Sequence, residues 1–160
     1  MSNYSGISRW QSALLVTLRF LIGWHLLYEG IYKFLHPEWS STAFLSGSEW
    51  IFAGVADWII SNPGVLNTVD FLNTWGLIAI GLGLILGLFT RAAAIAGTVL
   101  LVLYYLFIPP FIGIVPEVPL EGNYLLVNKN LIEAVMLLLI AVSPSARLYG
   151  IDTIIFNRKN

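Results

Sequence analysis

The stretch Leu14-Leu-Val-Thr-Leu-Arg19-Phe-Leu-Ile-Gly-Trp-His25-Leu-Leu-Tyr-Glu29-Gly-Ile-Tyr-Lys33-Phe-Leu35 is apolar enough to enter a bilayer, yet it holds four ionisable side chains. At 100° per helical residue, His25, Glu29 and Lys33 fall within about 80° of one another, with Arg19 within about 120° of them. An ionisable group at bilayer depth costs on the order of 2.5–3.5 kcal/mol on insertion scales. A stripe of four must therefore face protein or water, which marks a polar site inside a membrane protein.

The rest of the composition agrees. Hydrophobic residues make up 58% of the 160 and charged residues 11%, with a mean hydropathy of +0.80; a soluble domain is about 25% charged. The chain reads as a single membrane domain, residues 1–160, without room for a separate soluble catalytic domain. A net charge of −1 and the lack of any Lys/Arg run argue against a nucleic-acid partner. The absence of cysteine removes disulfide exchange, cysteine-ligated iron–sulfur clusters and thiolate metal sites. The N-terminal apolar segment is charge-interrupted and too long for a signal-peptide core, so it reads as a retained helix.

Four spans are expected, near Trp10–Leu35, Phe71–Phe89, Arg91–Ile112 and Tyr124–Val142. The fold class is thus all-α: a four-transmembrane-helix bundle, with an outer interfacial helix at Glu49–Ile60 and a C-terminal amphipathic helix at Ala146–Phe156. In the first of these, Trp50, Ile51, Phe52, Val55, Trp58 and Ile59 share one face, opposite Glu49 and Asp57. Arg9, Arg91, Arg147, Arg158 and Lys159 flank one side of the spans, while the other two loops are acidic. Both termini are therefore expected in the cytoplasm. Long apolar helices suit a bacterial or archaeal inner membrane and a multi-pass topology.

That orientation gathers the polar groups. Lys33 and Glu29 belong to the outer half of the first span, His25 to its middle and Arg19 to its inner part. The fourth span brings Asn128, Lys129, Asn130 and Glu133 to the outer half, the third brings Tyr104 and Tyr105, and the second begins with Asn73 and Trp75. We expect a polar cavity on the extracytoplasmic side. His25 and Glu29 are its candidate catalytic proton carriers. Arg19, Lys33, Asn73, Trp75, Tyr104, Tyr105, Lys129, Asn130 and Glu133 are its candidate ligand-binding residues.

A structural reading stands beside this one: Glu29–Lys33 and Lys129–Glu133 as mutually neutralised pairs joining two helices, with His25 bonded to Glu29 one turn away. No metal is expected, since His25 and His36 lie eleven residues apart with no supporting ligand pair. The remaining tryptophans, Trp39 among them, fit a boundary belt. Gly81, Gly83 and Gly87 lie in an apolar span and read as packing positions, not as a nucleotide loop.

Arg19-Phe-Leu-Ile-Gly23 followed by Gly30-Ile-Tyr-Lys33-Phe resembles the first-helix signature of the DoxX-like membrane proteins. The segment from His36 to Leu45 is similar to the one that follows in the DoxD type, while the run from Asn73 to the Thr90-Arg91 turn resembles the family's second helix and Asn128-Lys-Asn-Leu-Ile-Glu133 its fourth-helix pattern. The resemblance implies a four-helix membrane bundle and the small membrane subunit of a thiosulfate:quinone oxidoreductase. It implies no covalently bound cofactor and carries over no cofactor-binding residue. On this reading the partners are the bilayer, a second protein subunit or a homodimer mate, and a quinone or a small anion such as thiosulfate. The alternative is a non-catalytic scaffold, assembly factor or small-molecule-binding protein using the same cavity.

Overall fold

The computed structural model describes residues 8–110, 125–143 and 150–156. The expected loop 113–122, the expected fourth-span start at 124, and Arg147, Leu148, Arg158 and Lys159 lie outside the described residues. Within them the protein is all-helical: α1 (Arg9–Leu35), α2 (Thr42–Ser46), α3 (Ala53–Ser61), α4 (Pro63–Leu86), α5 (Thr90–Phe107), α6 (Lys129–Val142) and α7 (Ile151–Phe156).

Each long helix has a local reason to begin where it does. Ser8 and Gln11 form a reciprocal capping box at the start of α1. Pro63 occupies the first turn of α4, where its missing N–H costs nothing. The α4 helix therefore starts well before the Phe71 boundary expected from hydropathy; Asn67, Thr68 and Asp70 are helical despite their polarity. Asn128 caps α6 by accepting from the Leu131 N–H, which gives this buried amide a structural role.

Three helices are long and apolar enough to cross a membrane: α1, α4 and α5. The 14 residues of α6 span about 21 Å, less than the ~30 Å hydrocarbon core. The α1 helix packs along α4, α4 against α5, α5 along α6, and α6 returns to α1. Their shared core is Ile22, Leu26, Leu77, Ile80, Leu84, Leu101, Leu137 and Ile140. Outside it, Leu14, Phe20, Leu21, Trp24 and Tyr28 of α1 and Ile95, Val99 and Leu103 of α5 are exposed, whereas Arg19, Thr90, Thr98 and Asp152 are buried. An apolar exterior around buried polar groups suits lipid, not water, as the surrounding solvent.

The closest approach is between α1 and α4. A Cβ added to Gly81 would stand 2.6 Å from the Leu27 backbone nitrogen and 2.7 Å from the Gly23 carbonyl oxygen; Gly30 and Gly23 face Ile78 and Leu84 as tightly. Small residues here let two backbones touch. A second, smaller core joins α2 and α3 to the ends of α4 and α5, through Leu45, Ala56 and Ile59 against Phe44, Val65, Val69 and Phe107. The α3 helix therefore divides its apolar residues: Ala56 and Ile59 point inward, while Val55 and Trp58 remain exposed. The helix begins at Ala53, later than the Glu49 expected, and its apolar face is shared between the protein and the exterior. At the far end, Asp152 and Thr153 of α7 pack inward, and Asp152 donates its N–H to the Gly87 carbonyl.

Gly81→Ala should lower the thermal unfolding midpoint in detergent by the equivalent of about 1–3 kcal/mol, the usual cost of overpacking. Gly76→Ala is its control, because nothing lies within 4 Å of that added Cβ; equal effects of the two would refute the close seam.

Candidate functional site

The polar stripe of α1 reaches three different destinations. As the helix advances, His25, Glu29 and Lys33 rotate by about 40° per step, which carries the stripe from the α6 side to the α4–α5 side.

Lys33 heads the first group. Its ammonium donates to Asn73 Oδ1 at 2.8 Å, and Asn73 Nδ2 donates to the Tyr104 hydroxyl at 2.6 Å. Three helices thus share one chain of hydrogen bonds. Trp39 lies over the Lys33 ammonium at 4.5 Å from its ring centroid, and the Tyr104 ring lies 5.7 Å from the same nitrogen. Phe44 of α2 packs on Tyr104 at 5.4 Å, completing an aromatic roof. Glu29 and Asp70 are the carboxylates within electrostatic range of Lys33, and Asp70 also accepts the Ser41 N–H at 2.9 Å, tying the roof segment to α4. Glu29, half-buried, is in electrostatic range of Tyr104 as well.

The second group centres on His25. Its Nδ1 lies 2.9 Å from Glu133 Oε2, and the Lys129 ammonium lies 3.3 Å from its Nε2. An ammonium only donates, so Nε2 is the accepting nitrogen and Nδ1–H donates to Glu133. The expected His25–Glu29 bond and the Glu29–Lys33 and Lys129–Glu133 pairs are not what forms; His25 instead bonds to Glu133 across the α1–α6 interface. The reason is geometric: the His25 face of α1 meets α6, so the carboxylate across the interface is nearer than the one a turn along.

Arg19 belongs to neither group. It is 4% exposed, and its two terminal nitrogens lie 3.1 Å from where a Cβ on Gly87 would be. Asp152 of α7 acts on it electrostatically. The same carboxylate accepts the N–H groups of Phe89 at 2.7 Å and Thr90 at 2.9 Å, capping α5. This helps hold Phe89 in a left-handed conformation, φ 49°, that a side chain disfavours. Arg19 thus lies in a clasp at the opposite end from Lys33, apart from the other candidate ligand-binding residues.

Among the remaining candidates, Trp75 is 46% exposed and packs edge-on against Phe34, on the exterior. Tyr105 donates to the Leu126 carbonyl at 2.8 Å, satisfying a backbone group next to a left-handed Leu125. Asn130 makes no side-chain hydrogen bond with a described residue. Trp39, Phe44, Asp70 and Asp152 are the participants that sequence reasoning missed. For Trp39 the signal was available: an aromatic six residues past a lysine, with the helix ending between them at Leu35.

The fold and its buried polar groups define an integral membrane protein of apolar helices. The chain belongs to the DoxX family, whose pattern it matches over residues 14–109. The matched segment runs from α1 to the end of α5; it includes Lys33, Asn73 and Tyr104 and stops before Lys129 and Glu133. No curated protein and no solved structure shows significant similarity to the chain.

Asp152→Ala removes the acceptor of two N–H groups and the carboxylate nearest in effect to Arg19. Its expected cost is on the order of 2–3 kcal/mol, read as a lower unfolding midpoint and faster proteolysis of the C-terminal segment. Asp152→Asn, which keeps an acceptor, should lose less; no change in either would refute the clasp.

Proposed function

We propose that this protein is a four-span membrane subunit of the DoxD type, serving a redox system in a bacterial or archaeal cytoplasmic membrane. It receives a quinone headgroup, or a small oxyanion such as thiosulfate, at Lys33, Asn73 and Tyr104. The observation that carries this reading is the three-helix hydrogen-bond chain of those residues beneath Trp39 and Phe44. A cation and a hydroxyl set among aromatic rings suit a flat molecule with polar oxygens.

The fourth span comprises α6 together with the exposed apolar residues Leu125, Leu126 and Val127 that precede it. The excess of basic residues at the Arg9 and Arg91 end orients the Lys33 end towards the extracytoplasmic side. Reduction of a quinone takes two electrons and two protons. Glu29, between Lys33 and His25 on the same helix face, is the proton donor nearest the headgroup, and His25 with Glu133 stands one turn further on. The chain has no cysteine, and the electrons arrive from the reductant directly or from a second subunit.

Lys33→Ala and Glu29→Gln should each lower quinone-linked turnover tenfold or more in membranes that retain the folded protein. Wild-type turnover in both variants would sink this site.

A further inference from the structure

The two hydrogen-bond chains start alike and end differently. Each begins at a lysine ammonium, which only donates, and each passes through a side chain that can both donate and accept. Lys129 fixes His25 so that Nδ1–H points at Glu133, and a carboxylate closes that chain. Lys33 fixes Asn73 so that Oδ1 faces the ammonium and Nδ2 faces Tyr104. The Tyr104 oxygen therefore accepts from Asn73, and its own O–H must donate elsewhere. No described residue accepts that proton: Glu29 acts on Tyr104 through space without a hydrogen bond to it. Among the described residues the chain is open at Tyr104.

We infer that Asn73 sets the hydrogen-bond polarity of the site, so that Tyr104 O–H and the free Lys33 N–H groups together select a ligand through an oxygen acceptor. This rests on the reading of Lys33, Asn73 and Tyr104 as the ligand site and narrows its occupant. A carbonyl oxygen of an oxidised quinone and an oxyanion both supply that acceptor; a group that only donates does not. Asn73 is a positioning residue, and its amide dipole carries the polarity from Lys33 to the hydroxyl. Asp at this position would reverse the outcome. A carboxylate accepts from Lys33 and from Tyr104 alike, so the tyrosine proton would turn inward and the ligand would lose its donor.

The test uses the full-length protein in lipid nanodiscs, with a short-tailed benzoquinone and thiosulfate as separate probes. Tyr104→Phe should weaken the bound probe roughly tenfold, the effect of one hydrogen bond in a dry site. In an Asn73→Asp background the same change should cost nothing further, because the proton is already withdrawn. An equal loss in both backgrounds overturns the inference, as does no loss in Tyr104→Phe when Lys33→Ala still abolishes binding. Benzoquinone binding alone identifies the carbonyl as the acceptor, and thiosulfate binding alone identifies the oxyanion; either supports the inference.

Isotope-edited infrared spectra of Tyr104, taken against the Tyr104→Phe protein, add a measurement that needs no ligand. The phenolic C–O stretch should carry the low-frequency shift of a hydroxyl that accepts, and it should rise in Asn73→Asp. A donor-type band in the wild type overturns the assigned polarity. Binding of neither probe, with the acceptor band present, would instead overturn the quinone and thiosulfate reading and leave the polarity of Asn73 supported.

Discussion

The backbone contact between α1 and α4 governs nearly everything at the Lys33 end. Gly23 meets Leu84, Leu27 meets Gly81, and Gly30 meets Leu77 and Ile78. Followed three residues further along α1, this antiparallel register brings Lys33 opposite Asn73. A side chain on Gly81 would overlap Leu27 and Gly23 and strain the register that sets Lys33 against Asn73. The ammonium would then be left without its acceptor in an apolar medium, where an unmet charge is expensive. Packing at three glycines and the Lys33–Asn73 hydrogen bond are therefore the same constraint seen at two depths.

The buried polar groups divide into kinds that the cost of desolvation explains. At the Arg19 end, Asp152 accepts the first N–H groups of α5 and acts electrostatically on the guanidinium beside the Gly87 turn. A carboxylate that ties two elements together in this way rigidifies a fold. The His25, Lys129 and Glu133 contacts join α1 to α6, at 28% and 16% side-chain exposure for the histidine and the glutamate. The Lys33 group differs because it ends on a hydroxyl with a proton left to give.

The ionisable stripe was legible because helical periodicity is a property of one segment, and α1 is a single helix throughout. Asn73 and Tyr104 were also legible as polar groups at the right depth. The partners were not. His25 pairs across an interface with Glu133, and whether that carboxylate or Glu29 one turn along wins depends on how α1 is rotated against α6, a fact about two helices. Arg19 shares the periodicity of the stripe, but the carboxylate that acts on it lies in α7, more than a hundred residues away, beside a left-handed turn whose need for an acceptor no periodicity reveals. The start of α4 was misplaced because hydropathy falls through Asn67, Thr68 and Asp70, although Asn62-Pro63 is a helix-start signal.

Glu29 sits where these arguments meet. It is the member of the stripe without a hydrogen-bond partner among the described residues, and it lies between His25, whose acceptor needs are met, and Lys33 and Tyr104, whose donor capacity is not. A carboxylate kept for structure would be expected to take one of the donors within its range, as Asp70, Glu133 and Asp152 each do. In an apolar surrounding a half-buried carboxylate that leaves its neighbours unbonded keeps its lone pairs for water or for a proton. The Lys33 end thus sets donors on α1 and α5, at Lys33 and Tyr104, beside a carboxylate at Glu29 that is bonded to no described residue.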